Sequence, residues 1–134
     1  MTLQSGRPFT VFMPPQPLVG LRPDVVSGVD PVPAGQGPDN WINAAAYTPP
    51  AGPLGTLGRN THRGPSLQLV DLAVVKGWQM GEDNRLQFRA ELFNAFNRPN
   101  FGSPNPLLLT PDFGIISSTI TPARQIQFGL RYDF

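Results

Sequence analysis

The alternation of apolar and polar residues over the last eleven positions, 124–134, is the clearest pattern in the chain. Because successive side chains of a β-strand point to opposite sides, it predicts a strand with one apolar and one polar face. The length suits a tilted strand that crosses a bilayer, which needs roughly 9–11 residues. From this segment alone, a strand of a soluble sandwich is equally compatible. The apolar face carries Ile126, Phe128, Leu130, Tyr132 and Phe134.

Three earlier segments show a similar but less regular alternation. They predict strands over residues 2–13, which Pro8 interrupts, over residues 66–80 and over residues 85–97. The polar turn Gly-Glu-Asp-Asn at residues 81–84 joins the last two as a hairpin. Residues 85–97 also contain good helix formers, but alternation over four successive pairs favours a strand. The sequence therefore predicts an all-β fold, an antiparallel β-meander of about four strands, with strand 124–134 as the last.

Proline and glycine are concentrated between the predicted strands. Of the 17 prolines in the 134 residues, 11 lie in residues 14–65 and five in residues 98–122. Proline lacks an amide donor and fixes φ, so we expect both segments to be long irregular loops. The connections are then very long, very short and long. Tight turns on one side and long loops on the other are typical of outer-membrane β-barrels, whereas compact soluble domains rarely contain loops of this length.

This asymmetry predicts an orientation in the membrane. The turn at 81–84 is expected on the periplasmic side, with the loops 14–65 and 98–122 outside. Three aromatic residues then share the periplasmic interface, a layer that amphipathic rings favour: Trp78, Tyr132 and Phe134. The apolar rows of the two clearest strands are expected to face lipid: Leu86, Phe88, Leu92, Ile126, Phe128 and Leu130. In a soluble sheet, the same residues would form a core.

Composition and charge bear on other classes of function. The net charge is +1 with 14% charged residues, which predicts no general attraction to nucleic acid. The chain has no cysteine, so neither a disulfide framework nor a thiolate metal site is possible within it. It contains no run of 18 apolar residues, and its first residues lack the basic and then apolar pattern of a signal peptide.

Candidate chemistry is sparse. His62 is the only histidine, and we expect it to be a solvated loop residue rather than a metal ligand. Arg59, Asn60 and Arg63 form a polar group in the first long loop, where flanking glycines favour a turn-stabilising role over ligand contact. No carboxylate has a histidine or serine at a catalytic spacing. The sequence therefore predicts no enzyme and no cofactor.

One segment carries a family likeness. Residues 86–102, LQFRAELFNAFNRPNFG, resemble a signature near the C-terminus of large TonB-dependent outer-membrane receptors, in particular an Oar-like group with an N-terminal carboxypeptidase-regulatory-like domain. The likeness covers essentially the whole chain, and its most specific parts are the block 93–100 and the terminal strand. Smaller matches follow in order: Ser5–Val11, Trp41–Asn43 with Ala45–Tyr47, Gly58–Asn60, Arg63–Pro65, Val70–Leu72 with Lys76, Phe113–Gly114 and Arg124–Gly129.

The resemblance implies a barrel of about 22 strands in the outer membrane of a Gram-negative bacterium, with an internal plug and energy supplied by TonB. This chain would be the C-terminal piece of that transmembrane β-barrel, a fragment without the plug. Its partners would be outer-membrane lipid, the remaining strands and plug, and TonB through the plug. The terminal residues also resemble the signal read by the barrel assembly machinery: Phe128, Leu130, Tyr132 and Phe134.

Two functions remain open from the sequence. The first is part of the barrel wall of a TonB-dependent transporter that takes up an unidentified ligand. The alternative is a soluble β-rich binding or interaction module, whose long loops form the contact surface.

Overall fold

The computed structural model describes residues 1–14 and 21–134. Its strands all pair antiparallel, and one short 3₁₀ helix is the only helical element in this part of the chain. The all-β, antiparallel prediction is therefore confirmed. In chain order the elements are β1 (Thr2–Gln4), β2 (Pro8–Phe9), β3 (Asp24–Val25), the 3₁₀ helix (Ala44–Ala46), β4 (Tyr47–Thr48), β5 (His62–Arg63), β6 (Leu67–Leu69), β7 (Leu72–Gln79), β8 (Arg85–Phe93) and β9 (Gln125–Asp133).

Among the described residues, no helix has the length and apolar character required to cross a bilayer.

The chain forms two compact units. We call the first the sheet unit; it contains Met1–Gln4, Leu67–Asn100 and Thr121–Phe134. We call the second the loop unit; it contains Ser5–Ser66 and Phe101–Ile120.

The sheet unit is built on the three-stranded meander β7–β8–β9. Its ladders run from Leu72↔Leu92 to Gln79↔Arg85 and from Arg85↔Asp133 to Phe93↔Gln125. The turn between β7 and β8 is closed by the Met80 amide, which donates to the Asn84 carbonyl at 2.8 Å. β1 and β6 form a separate short ladder in the same unit.

The predicted strand 66–80 is divided in the structure. Between β6 and β7, the Val70 carbonyl accepts from the Ala95 amide and the Asp71 carboxylate accepts from the Asn94 amide. These two contacts replace ladder pairing at residues 70 and 71. The predicted strand 85–97 ends at Phe93, because Asn94 has a positive φ of 49°, which a strand does not allow.

The predicted strand 2–13 is reduced to β1 and β2. Gly6 separates them, and a Cβ at this position would lie 1.7 Å from the Gly64 carbonyl oxygen. The backbones therefore approach so closely that only glycine fits. Beyond β2, the chain makes a parallel bridge from Phe12 to Leu107 instead of continuing the ladder.

Residues 14–65 and 98–122 are mostly irregular, as predicted, and the only elements described in them are short: Asp24–Val25, Ala44–Ala46, Tyr47–Thr48 and His62–Arg63; residues 15–20 lie outside the described residues. β3 pairs with β4 and β5 pairs with β2, so proline-rich chain is held by two-residue ladders. Side chains supply further backbone partners: Asn43 caps the 3₁₀ helix by accepting from the Ala45 amide at 3.1 Å. The loop unit has its own core, composed of Val11, Met13, Ile42, Ala46, Tyr47, Leu57 and Leu108.

Candidate functional sites

The register of the sheet sorts its side chains into two faces. Directly paired residues of antiparallel strands point to the same side, so the pairings define four rows on one face. Eleven of the twelve residues are apolar or aromatic, and Lys76 is the only charged one. The rows are Leu72–Leu92–Ile126, Val74–Ala90–Phe128, Lys76–Phe88–Leu130 and Trp78–Leu86–Tyr132.

This apolar face is uncovered in the described chain. Phe128 is 69% exposed and Leu130 is 71% exposed, while Phe88 is half-buried between its neighbours and stacks on Phe128 with ring centroids 6.0 Å apart. All six residues predicted to face lipid lie on it together: Leu86, Phe88, Leu92, Ile126, Phe128 and Leu130. Soluble monomers rarely expose a continuous apolar surface of this kind.

The three aromatics predicted at one interface also come together. Trp78 and Tyr132 lie in the same row, both paired with Leu86. Phe134 follows beyond the end of β9 and stacks on Tyr132 with a centroid separation of 5.9 Å. The structure therefore places these rings at one end of the sheet, the end that carries the β7–β8 turn.

The opposite face of the sheet is mainly polar. Two ion pairs lie on it, Arg89 with Glu91 and Arg131 with Asp133. Exposed pairs of this kind add little to stability, so they indicate a hydrated surface rather than a structural clamp. The face comprises Ala73, Val75, Gly77, Gln79, Arg85, Gln87, Arg89, Glu91, Phe93, Gln125, Gln127, Gly129, Arg131 and Asp133.

The block 93–100 forms a turn organised by asparagine side chains. The side chain of Asn94 is 4% exposed. Its Nδ2 donates to the backbone carbonyls of Arg98 and Pro122, and its Oδ1 accepts from the backbone amide of Arg98. Its left-handed backbone, shared by Asn97 at φ 51°, is one that asparagine tolerates better than most residues. Asn94 thus joins the end of β8 to the segment that leads into β9.

Two further asparagines complete this turn. The Asn97 side chain accepts from the Arg124 amide at 2.9 Å. Asn100, which is 1% exposed, accepts from the Gln68 amide at 2.8 Å and donates to the Thr121 hydroxyl at 2.9 Å. Sequence reasoning found this block only by resemblance. A signal that sequence reasoning missed is the spacing of three residues between these asparagines. The side chain of each forms a hydrogen bond with a residue distant in sequence.

The loop unit contains an aromatic cleft of about 590 Å³. His62 packs between Phe9 and Tyr47, with ring centroids 5.7 Å from each, and the Tyr47 hydroxyl shares a 2.8 Å hydrogen bond with His62 Nε2. The expectation that His62 is a solvated loop residue was therefore wrong; β2–β5 pairing brings it against the core. The lining includes Phe9, Val25, Pro31, Val32, Gln36, Trp41, Ile42, Tyr47, Leu57, Thr61, His62, Arg63 and Gly64.

The two hydrogen-bonded rings of the cleft, Tyr47 and His62, are both uncharged at neutral pH. Burial lowers the pKa of His62 and raises the pKa of Tyr47 to about 12, so both are neutral at pH 7. Arg63 pairs with Pro8, so its side chain leaves β5 on the side away from His62, and its Nη1 donates to the Gly6 carbonyl at 3.3 Å. The remaining polar side chains of the lining are neutral, namely Gln36 and Thr61.

The three polar residues predicted to act together in this loop, Arg59, Asn60 and Arg63, have different contacts in the structure. Arg63 braces Gly6, and its carbonyl accepts from Trp41 Nε1 at 2.9 Å. Asn60 has a positive φ of 55°, and its amide donates to the Thr10 hydroxyl at 2.8 Å. Both contacts stabilise the fold of the loop, and Arg59 is exposed beside Asn60. No group of three or more potential metal ligands occurs among the described residues.

Comparison with models of known protein families gives a match over most of the chain. The family model described as an outer membrane beta barrel domain matches residues 1–127, which include almost all of both units. No curated protein and no solved structure matches the chain.

Proposed function

This chain belongs to the family of outer membrane beta barrel domains, and from that premise we propose that it forms part of the wall of a TonB-dependent transporter. Family membership makes it an outer-membrane barrel-wall protein. TonB dependence and ligand uptake are the finer proposal, supported by the resemblance of residues 86–102 and of the terminal strand to those receptors.

The single observation that carries the wall assignment is the two-faced sheet. Its apolar face holds one charge in twelve residues, whereas its opposite face holds two ion pairs. Withdrawing an apolar side chain from water contributes about 1.5–3 kcal/mol, so lipid stabilises the first face strongly. The opposite, polar face is suited to the water-filled interior of a barrel. We therefore assign lipid contact to Leu86, Phe88, Leu92, Ile126, Phe128 and Leu130.

The ends of the sheet follow from the same assignment. Trp78, Tyr132 and Phe134 occupy the periplasmic interface, where aromatic side chains with an apolar body are favoured. The short turn 81–84 lies in the periplasm, and the long connections 14–65 and 98–122 are extracellular, as long loops are in such barrels. Phe128, Leu130, Tyr132 and Phe134 also provide the terminal motif for the barrel assembly machinery.

The edges of the sheet require partners. Among the described residues, β7 and β9 each have one paired neighbour, β8, over their length. A lipid environment leaves unpaired backbone groups without hydrogen-bond partners, which costs several kcal/mol for each group. Both edges therefore pair with further strands of the barrel, and the plug of the receptor occupies its interior. TonB acts on that plug.

The aromatic cleft is the part of the loop unit that we assign to ligand contact. A concave site of a few hundred Å³ with apolar walls and a few polar groups is the usual form of a small-molecule site. Here the rings of Phe9, Trp41 and Tyr47 supply the walls, and Gln36 and Thr61 supply neutral polar groups. We assign no reaction and no cofactor to the chain.

Two genetic changes in the native bacterium test this function. Inactivating the gene for this protein and inactivating TonB should abolish growth on at least one shared nutrient, and restoring the gene should rescue only the first strain. The protein should remain in outer membranes washed with alkaline carbonate. Recovery of the native protein as a folded, soluble monomer would instead support the binding-module alternative. A growth defect that does not depend on TonB would contradict the transport mechanism.

A cleft variant tests the ligand assignment. Val32 is 50% exposed at the cleft, so Val32→Trp should fill the cleft without disturbing the buried core. We expect it to reduce growth on the shared nutrient, while Ser117→Trp, at an exposed position away from the cleft, should not. Equal growth of both variants would remove the cleft from the uptake route.

A further inference from the structure

Lys76 is the only lysine in the chain and the only charged residue on the apolar face of the sheet. It lies opposite Phe88, in the row next to Trp78–Leu86–Tyr132. The side chain is exposed, and it takes part in neither of the two ion pairs found in the described residues. The wall function leaves this cation unexplained, because a charge on a lipid-facing row is unfavourable.

We propose that Lys76 binds the phosphate of a phospholipid in the periplasmic leaflet, an inference that rests on the proposed lipid exposure of this face. Two residues along a strand correspond to about 6.6 Å, and the strand tilt shortens the distance along the membrane normal to about 5 Å. A lysine can keep its methylenes in an apolar layer while its ammonium reaches the polar boundary. Lys76 therefore reaches the level of Trp78 and Tyr132.

The free energy of placing a lysine on the lipid face favours a position where its ammonium can reach an anion at the membrane interface. A lysine on the lipid face of a barrel costs about 2–4 kcal/mol at the bilayer midplane and about 0–1 kcal/mol near the interface. The interface is therefore where this side chain is tolerated, and lipid phosphates carry the negative charge there. The indole N–H of Trp78 lies two residues further along the same strand and supplies a second donor at the same boundary.

No acid of the sheet competes for Lys76. Its face contains no aspartate or glutamate, and Glu91 and Asp133 lie on the opposite face, where they pair with arginines. The acids of the turn, Glu82 and Asp83, begin six residues along the chain, about 20 Å for an extended strand. Lipid phosphate is thus the anion within reach of Lys76 on this part of the wall.

The test compares lipid retention by variants of the whole purified protein. Nanodiscs contain either phosphatidylglycerol or an uncharged galactolipid with the same acyl chains, and bound lipid is counted by native mass spectrometry. Lys76→Met keeps an unbranched side chain and suits lipid, so it tests the charge without blocking insertion. We expect it to weaken phosphatidylglycerol binding about tenfold, the size of a charge-assisted hydrogen bond, and to leave galactolipid binding unchanged.

Two controls complete the comparison. Lys76→Arg should retain binding, because a guanidinium also pairs with phosphate. Arg85→Gln, which removes a cation on the opposite face nearer the turn end of the sheet, should leave phosphatidylglycerol binding unchanged. Unaltered phosphatidylglycerol binding by Lys76→Met, or an equal loss of both lipids, would overturn the proposal. So would a carbodiimide cross-link from Lys76 to a carboxylate on a neighbouring strand.

The same samples separate this proposal from the wall assignment. Brominated lipid should quench the fluorescence of Trp78 if the face contacts lipid. Quenching of Trp78 with no effect of Lys76→Met would refute the phosphate site alone. Absence of quenching would refute lipid exposure itself.

Discussion

The sheet unit and the loop unit treat apolar residues in opposite ways. In the sheet, Phe128 and Leu130 are 69% and 71% exposed, whereas in the loop unit Val11 and Leu57 are 0% and 4% exposed. The sheet keeps long regular ladders, and the loop unit relies on two-residue ladders and a small core. Apolar character alone therefore does not predict burial within the chain. With the function proposed above, the apolar face of the sheet is suited to lipid and the core of the loop unit to water.

Removing a buried side chain from the loop unit should have the largest effect. Leu57→Ala deletes a side chain that is 4% exposed, and such deletions cost about 2–5 kcal/mol. Hydrogen exchange of loop-unit peptides should therefore accelerate strongly. The matched variant Leu54→Ala, at a side chain that is 68% exposed, should change exchange little. Equal effects of the two variants would mean that the loop unit has no working core.

A charge on the apolar face tests the other half of the comparison. Phe128→Arg should destabilise the membrane-inserted protein by about 2–4 kcal/mol, measured by urea unfolding in lipid vesicles. Gln127→Arg places the same charge on the polar face and should have a much smaller effect. If the sheet were soluble, Phe128→Arg would not destabilise it, because this phenylalanine is exposed, and the arginine would improve solubility.

The asparagine turn should give an intermediate effect. Asn94→Ala removes three side-chain hydrogen bonds from a buried site with positive φ, and we expect a loss of about 1–3 kcal/mol. Asn94→Gly permits the same φ without the hydrogen bonds, so the difference between the variants isolates the backbone contribution. Urea unfolding of the inserted protein measures both. If neither variant is destabilised, the turn does not fix the approach to β9.

Acidification should give the smallest effect, confined to the loop unit. Hydrogen bonds from the backbone amides of Ala51 and Thr56 hold the pKa of Asp24 below its ordinary value of 3.8. The carboxylate therefore stabilises this turn fully above the unfolded pKa, and the stabilisation is lost as pH falls through the lower, folded pKa.

Amide exchange at Ala51 and Thr56, followed below pH 4, measures this loss. Asp24→Asn should show fast exchange already at neutral pH, because a neutral amide is a weaker acceptor than a carboxylate. Asp39→Asn is the control, since Asp39 is exposed and does not accept from these amides. Protection factors at these two amides that stay constant below pH 4 in the parent protein, after correction for the intrinsic pH dependence of exchange, would contradict the role of Asp24.

The sequence predicted the sheet better than the loop unit for a physical reason. Alternation over successive pairs in 85–97 and 124–134 indicates two different environments on the two faces, and β8 and β9 lie within these segments. The observed register places Lys76 on the apolar face, between Val74 and Trp78. The core of the loop unit brings Val11, Leu57 and Leu108 together from distant positions. Strands of two residues leave no periodicity to detect.

The cleft and the asparagine turn were beyond prediction for related reasons. His62 becomes half-buried only because β5 pairs with β2, some fifty residues earlier in the chain. The roles of Asn94 and Asn100 depend on partners at Pro122 and Thr121, which local sequence does not reveal. Resemblance identified the block, but its physical meaning required the structure.

The contrast between the two tryptophans of the chain is the sharpest test of whether the apolar face contacts lipid. Trp78 lies on the apolar face of the sheet, and Trp41 lies in the aromatic cleft. In vesicles of lipid brominated beside the headgroup, the bromine quenching of the protein's tryptophan fluorescence should fall in Trp78→Phe and stay unchanged in Trp41→Phe. Quenching that survives Trp78→Phe unchanged, or that is lost with Trp41→Phe, would contradict the assignment of this face to lipid.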